Sequence, residues 1–69
     1  MAVSYEKYRR LLKKTDMSAS RLGRKADIAP NTMTRLQKDE PVSLDVLGRL
    51  CSVLHCNFGD LVDYVPEKE

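Results

Sequence analysis

Asn31, Thr34 and Arg35 stand at i, i+3 and i+4, so they share one face of any helix that contains them. Their chemistry suits the reading of base edges. The guanidinium of Arg35 is a planar fork that can donate two hydrogen bonds to guanine, worth roughly 1–3 kcal/mol of base discrimination. Asn31 carries a donor and an acceptor, which together match the edge of adenine. Thr34 offers a hydroxyl to a base or phosphate, or a methyl to thymine, and Pro30 offers apolar contact. Duller explanations exist for each: a solvated surface arginine, residues chosen to start a helix at Asn31 and Thr32, and an idle exposed threonine. What weighs against them is the reverse side of the same stretch. Met33 and Leu36, three residues apart, give it an apolar back that a neighbouring element can hold.

That neighbour is predicted just upstream. Residues 17–38 read as two short helices joined by a tight turn, with Leu22, Ala26, Ile28, Met33 and Leu36 facing inward. Ser18 is a good N-cap for the first of the pair, and Met17 before it can pack back onto Leu22 as a hydrophobic staple. Gly23 inside a helix costs about 1 kcal/mol relative to Ala. Its presence predicts that another helix comes close there. Asp27 opens the turn, because Asp tolerates left-handed backbone better than most residues. Pro30 suits the first position of the second helix, predicted over residues 30–37, where no backbone donor is needed. A short braced helix with polar and basic residues on its free face is the size of object that enters a DNA major groove.

Around this pair the spacing predicts three more helices and no strand. A first helix, capped by Ser4 and running to about Lys14, buries Tyr5, Tyr8, Leu11 and Leu12 and exposes Lys7, Arg9, Arg10, Lys13 and Lys14. A fourth, capped by Ser43, has Leu44, Leu47, Leu50, Cys51 and Leu54 as its apolar stripe. A fifth starts at Asn57, with Asp60 completing a capping box and Phe58, Leu61, Val62 and Val65 as apolar positions. Tyr5, Tyr8 and Phe58 read as core rather than as platforms for stacked bases. Glu67, Lys68 and Glu69 read as a frayed polar tail. The whole is one all-α, compact five-helix domain over residues 1–69, ordered over about 4–65.

Sixty-nine residues permit only a thin core, since a chain this short buries about 60% of its unfolded surface. The net charge of +2 hides an asymmetry. Residues 1–38 hold ten Lys or Arg against three Asp or Glu, whereas residues 39–69 hold two against seven. A polyanion is drawn to the first half and repelled by the second. Arg21, Arg24, Lys25 and Lys38 add attraction that carries no sequence information and falls with salt. The start, Met1 to Arg10, lacks the apolar middle of a signal peptide, and no apolar run approaches the roughly 20 residues that span a bilayer. A cytoplasmic, nucleoid-associated protein is expected.

Enzyme chemistry finds no foothold. There is one His, no Gly-rich phosphate loop, and no His partner in sequence context for Ser18, Ser20 or Ser43. His55 between Cys51 and Cys56 falls short of four zinc ligands, and the two cysteines are too far apart for a CxxC motif. Cys51 reads as a small buried apolar residue, with Cys56 at its helix's end. No metal, cofactor or small-molecule substrate is expected, and a redox role for the cysteines stays open.

The segment from Met17 to Asp39, the passage Glu40-Pro41-Val42-Ser43-Leu44, and the closing spacing of Leu54, Cys56, Phe58 and Leu61 resemble the Xre-type helix-turn-helix family of lambda repressor and Cro. The likeness runs from about Tyr5 to Val65 and is nearest to the small bacterial members made of the binding domain alone. It implies a lambda-repressor-like fold, a recognition helix at 30–37 and a preceding helix lying across the DNA backbone. It puts Pro30, Asn31, Thr34 and Arg35 at base edges, and Ser18, Thr32 and Lys38 at phosphates, to which the basic Arg21 is added. The chain departs from the pattern at four places. Ala19 replaces a Gln that touches phosphate, and Asp27 replaces a turn Gly. Gln37 replaces a Glu that pairs with a first-helix Arg, which leaves Arg9 or Arg10 at best a neutral partner. Asp39 replaces a Gly and sets a negative group near the phosphate path.

The leading expectation is a sequence-specific regulator of transcription, a repressor that binds double-stranded DNA as a homodimer through Phe58, Val62, Tyr64 and Val65. The competing expectation, motivated by Ala19, Gln37 and Asp39, is a protein-interaction module of the antitoxin-like or regulatory-partner kind that keeps the fold with weak or no specific DNA binding.

Overall fold

Tyr5, Tyr8, Leu22, Leu36, Leu50 and Leu61 are the largest fully buried side chains, and they come from every helix and from the segment beyond the last one. In a computed structural model describing residues 2–66, the elements run β1 (Ala2–Ser4), α1 (Glu6–Lys13), α2 (Ala19–Lys25), α3 (Pro30–Gln37), α4 (Leu44–Leu54), a single 3-10 turn (Phe58–Asp60) and β2 (Asp63–Val65). Ala26, Ile28, Met33 and Leu47 complete the buried cluster, and Met17 packs against it from its edge. All five inward positions predicted for residues 17–38 are buried. Residues 67–69, read from sequence as a polar tail, lie outside the described range.

The four helices follow their local signals closely. Ser18 Oγ accepts from the Arg21 backbone N–H at 3.2 Å, and Ser43 Oγ accepts from that of Val46 at 3.2 Å. Each satisfies one of the donors that a helix start leaves without a partner. α3 covers the predicted residues and starts with Pro30 at its first position. Leu44 is a correction: it sits at 68% exposure, outside the stripe that Leu47 and Leu50 make.

The expected fifth helix is not there, and two strands are. Asn57 and Asp60 do form the capping box, with the Asn57 N–H donating to Asp60 Oδ2 at 2.9 Å, but helical geometry lasts only from Phe58 to Asp60. The chain then extends, and β2 pairs antiparallel with β1 in the register Ala2 with Val65, Val3 with Tyr64 and Ser4 with Asp63. Val, Tyr and Thr-like shapes fit a pleated surface better than a short exposed helix. The opposite terminus supplies the ladder partner. Lys7 locks this corner, donating to the Gly59 carbonyl at 3.0 Å and pairing with Asp63 at 2.9 Å. Phe58, expected in the core, is 46% exposed, because the short turn leaves it on the outside while Leu61 is the residue buried.

α1 also starts later than predicted. Ser4 belongs to β1, although its Oγ accepts from the Glu6 N–H at 3.3 Å, and Tyr5 occupies the N-cap position.

Candidate nucleic-acid interface

Met33 and Leu36 pin α3 to the molecule, at 6% and 0% exposure. The opposite face then has to look outward. Pro30, Asn31, Thr34, Arg35, Gln37 and Lys38 are all exposed, and Thr32 is half-buried. The four predicted base-reading residues therefore stand together on one free face. Ser18 and Arg21 are exposed at the start of α2. Ser18 Oγ accepts a bond from Arg21 N and so keeps its own hydrogen to donate outward. The Thr34 hydroxyl is turned inward along the helix, donating to the Pro30 carbonyl at 3.1 Å.

α2 and α3 meet as the glycine predicted. A Cβ built on Gly23 would lie 2.8 Å from Met33 Cγ, nearer than carbon atoms approach without contact strain. On the outer side of this contact an open groove of about 550 Å³ runs between the two helices, lined by Ala19, Ser20, Gly23, Pro30, Met33 and Thr34 among others.

Both ends of α3 are set by the same device. Asp27, at φ 58°, ends α2, and the Ile28 N–H reaches back to the Gly23 carbonyl at 2.8 Å. Asp39, at φ 57°, ends α3, and the Glu40 N–H reaches back to the Arg35 carbonyl at 3.0 Å. α4 ends likewise, with His55 at φ 55° and the Cys56 N–H on the Cys51 carbonyl at 3.1 Å. A residue in left-handed backbone followed by a six-to-one bond is the Schellman closure. Here none of the three left-handed residues is Gly.

Arg9 settles the question raised by Gln37. Its Nη1 donates to the Leu36 carbonyl at 3.1 Å and to Asp39 Oδ1 at 3.0 Å, so the helix-three partner is a backbone carbonyl plus the residue after the helix. Arg10 pairs within its own helix, with Glu6 at 3.1 Å. Asp39 Oδ1 also accepts the Tyr5 N–H at 2.9 Å, at the start of α1. The Arg9 hydrogen bond first, and the Tyr5 N–H second, hold the Asp39 carboxyl below its ordinary value. Asp39 is thus a paired, structural anion. On the other side Arg49 of α4 donates to the Asp27 carbonyl at 2.8 Å and to Asp45 at 3.1 Å. Neither arginine bridge could be inferred from residue type alone. The available hint was that each Asp follows a short helix where left-handed backbone is needed.

Away from α3 the remaining calls separate. Phe58 on the 3-10 turn and Tyr64 and Val65 on β2 are exposed, and Val62 in the link between these elements is half-buried. Cys51 and Cys56 are half-buried, a correction to the fully buried reading of Cys51. The Cys56 thiol is pushed up to about 11, by burial first and by its neighbour Cys51 next. A thiol kept protonated is a poor nucleophile, which speaks against facile oxidation at this site. No helix among the described residues is long and apolar enough to cross a membrane.

Two comparisons with known proteins bear on this geometry. A crystal structure of the transcriptional regulator VanUg is similar to this chain at 39% identity and a TM-score of 0.89, covering 96% of this chain and 88% of that one. No curated protein matches. The Cro/C1-type helix-turn-helix DNA-binding domain matches over residues 7–67, and to that family the chain belongs.

Proposed function

We propose that this protein is a sequence-specific transcriptional regulator, acting as a repressor, that reads the major groove of double-stranded DNA with α3. One observation carries the reading: Pro30, Asn31, Thr34 and Arg35 share the exposed face of a helix whose other face is fixed by Met33 and Leu36. Arg35 and Asn31 take the base edges by paired hydrogen bonds, with Pro30 and Thr34 alongside. Ser18, Arg21, Thr32 and Lys38 take phosphates. The solved transcriptional regulator with this fold supports the assignment.

Two copies on a two-fold site, with half-sites about 34 Å apart or a multiple of that, supply the affinity one small domain lacks. Apart from Leu44 on α4, Phe58, Tyr64 and Val65 are the large apolar side chains left exposed among the described residues, and with Val62 they form the proposed contact between copies. Equilibrium sedimentation of the protein, free and on selected DNA, gives a dimer under this reading; a monomer in both states refutes it.

The reading as a whole is tested by selecting bound sites from a random DNA pool. A shared sequence motif is expected. Arg35→Ala then loses about 1–3 kcal/mol and its preference at one base pair, while Lys38→Ala weakens all sequences alike. Two variants with unchanged affinity and preference would place the reading face elsewhere. The protein-interaction alternative, motivated by Ala19, Gln37 and Asp39, predicts no DNA binding even at low salt; the pairing of Asp39 with Arg9 gives that carboxylate a structural use of its own.

A further inference from the structure

Thr34 is the one residue on the free face of α3 whose polar group is already spent within its own helix. Its hydroxyl donates to the Pro30 carbonyl at 3.1 Å, so the hydrogen is not available to a base acceptor unless that bond breaks. Turning the hydroxyl back along the helix leaves the γ-methyl as what this exposed side chain has to present. Thr34 lines the open groove between α2 and α3, whose carbon surface comes from Ala19, Gly23, Pro30 and Met33 and whose polar lining is Ser20, Arg24 and Gln37. A larger residue than Ala at position 19, or a Cβ at Gly23, would narrow that groove, and at Gly23 the close approach of Met33 forbids it.

A groove of this kind on a DNA-reading face has one natural complement. Of the four bases only thymine carries a methyl group in the major groove. Resting on the proposed reading of DNA by α3, we infer that Thr34 is a specificity-determining residue that selects thymine through methyl–methyl contact, with the α2–α3 groove receiving the thymine C5-methyl. Its hydroxyl serves to fix the rotamer, and the discrimination comes from carbon.

The test uses the full chain and a site selected from a random pool. Each thymine of that site is replaced in turn by deoxyuridine, which differs only in lacking the methyl. One replacement per half-site is expected to weaken wild-type binding about fourfold, the scale of one buried methyl group. Thr34→Val keeps a methyl at this position and discards the hydroxyl, so it should keep the same deoxyuridine penalty. Thr34→Ser keeps the hydroxyl and discards the methyl, so it should bind the thymine site about fourfold more weakly per half-site and be indifferent to deoxyuridine there. Helical circular dichroism of both variants checks that α3 is intact. If the wild type binds its site but no deoxyuridine replacement matters, or if Thr34→Ser keeps the deoxyuridine penalty while Thr34→Val loses it, the inference is overturned and the DNA reading stands. If the wild type selects no site, the DNA reading falls and takes this inference with it.

Discussion

Two aspartates bracket α3, with nearly the same positive φ and at the same place in the same closure motif, yet the fold uses them differently. Asp27 contributes its backbone. Its carbonyl accepts from Arg49 at 2.8 Å, while its side chain is 98% exposed and only 3.4 Å from the same guanidinium. Asp39 contributes its side chain. One carboxylate oxygen joins Arg9 of α1 and the Tyr5 N–H, tying the end of α3 to the start of α1. The difference teaches that a left-handed Asp is a conformational choice at one site and a tertiary contact at the other. Substitutions that separate backbone from carboxylate tell the two apart.

The largest contrast is expected from alanine. Asp39→Ala removes the acceptor of a helix-start donor, about 1 kcal/mol. It also removes an exposed ion-pair partner, worth less, and places a Cβ-bearing residue without local hydrogen bonding in left-handed backbone, about 1 kcal/mol or more. A loss near 2 kcal/mol is expected, on the order of 10 °C in thermal midpoint for a domain this small. Asp27→Ala keeps only the backbone penalty and should lose about half as much. Thermal and urea unfolding of the two variants measures this directly, and equal losses would dissolve the contrast.

Glycine sharpens it. Gly accepts left-handed backbone without strain but loosens the unfolded chain. Asp27→Gly should fall within about 0.5 kcal/mol of wild type, the two effects offsetting. Asp39→Gly should still lose about 1 kcal/mol, because no glycine can replace the carboxylate between Arg9 and Tyr5.

Acid makes the same distinction without touching the backbone. The Asp39 carboxyl is held below its ordinary value of 3.8 in the folded state, by Arg9 first and by the Tyr5 N–H next. A depressed folded value means that the folded state binds fewer protons than the unfolded one. The stabilisation is therefore fully present above 3.8 and disappears as pH falls through the lower, folded value. Asp39→Asn keeps an oxygen acceptor and a residue at ease in left-handed backbone, and it lacks only the charge. Urea unfolding should show wild type more stable than Asp39→Asn at pH 7 and the gap closing below pH 3.8. The corresponding Asp27→Asn variant should show a gap of less than about half that size, its carboxylate being almost wholly in water. A gap that stays constant down to the acid limit would mean that the Arg9–Asp39 charge pair contributes nothing.

How much of this was legible beforehand follows the range of the interactions. α3 could be placed from Pro30 and the Met33–Leu36 spacing because each signal acts within one helix. Asp27 could be placed in left-handed backbone for the same reason, and Gly23 announced the α2–α3 contact because a helix rarely tolerates Gly without cause. The Asp39 bridge to Arg9 and Tyr5 could not be read, since it joins positions 30 and 34 residues apart and exists only once α1 lies across the end of α3. β2 was hidden by an ambiguity of pattern. Phe58, Leu61, Val62 and Val65 fit helical spacing, whereas residues 63–65 pair with a strand at the other end of the chain. Of the interface, the exposed face of α3 was legible as a set. The inward turn of the Thr34 hydroxyl was not, because a threonine's spacing says nothing about its rotamer.

The smallest expected effect isolates the two arginines that brace these turns. Arg9 holds both the Leu36 carbonyl and Asp39, and its side chain is 35% exposed; Arg49 holds the Asp27 carbonyl and its own-helix Asp45 and is 43% exposed. Methionine in place of either keeps most of the aliphatic stem and removes the fork, so the packing of that stem is largely conserved. Arg9→Met leaves a helix-end carbonyl and a carboxylate both short of a partner in a part-buried corner, for a loss of about 1 kcal/mol. Arg49→Met leaves groups that water reaches easily, and its loss should stay near a few tenths of a kcal/mol, within the range of surface pairs. Amide exchange at Ile28 and Glu40, the donors that close α2 and α3, reports each end separately. Arg9→Met should speed exchange at Glu40 and leave Ile28 nearly unchanged, with the reverse and weaker pattern for Arg49→Met. If Arg49→Met cost as much as Arg9→Met, the Asp27 end would be braced as firmly as the Asp39 end, and the asymmetry of α3 would lie elsewhere than in these two turns.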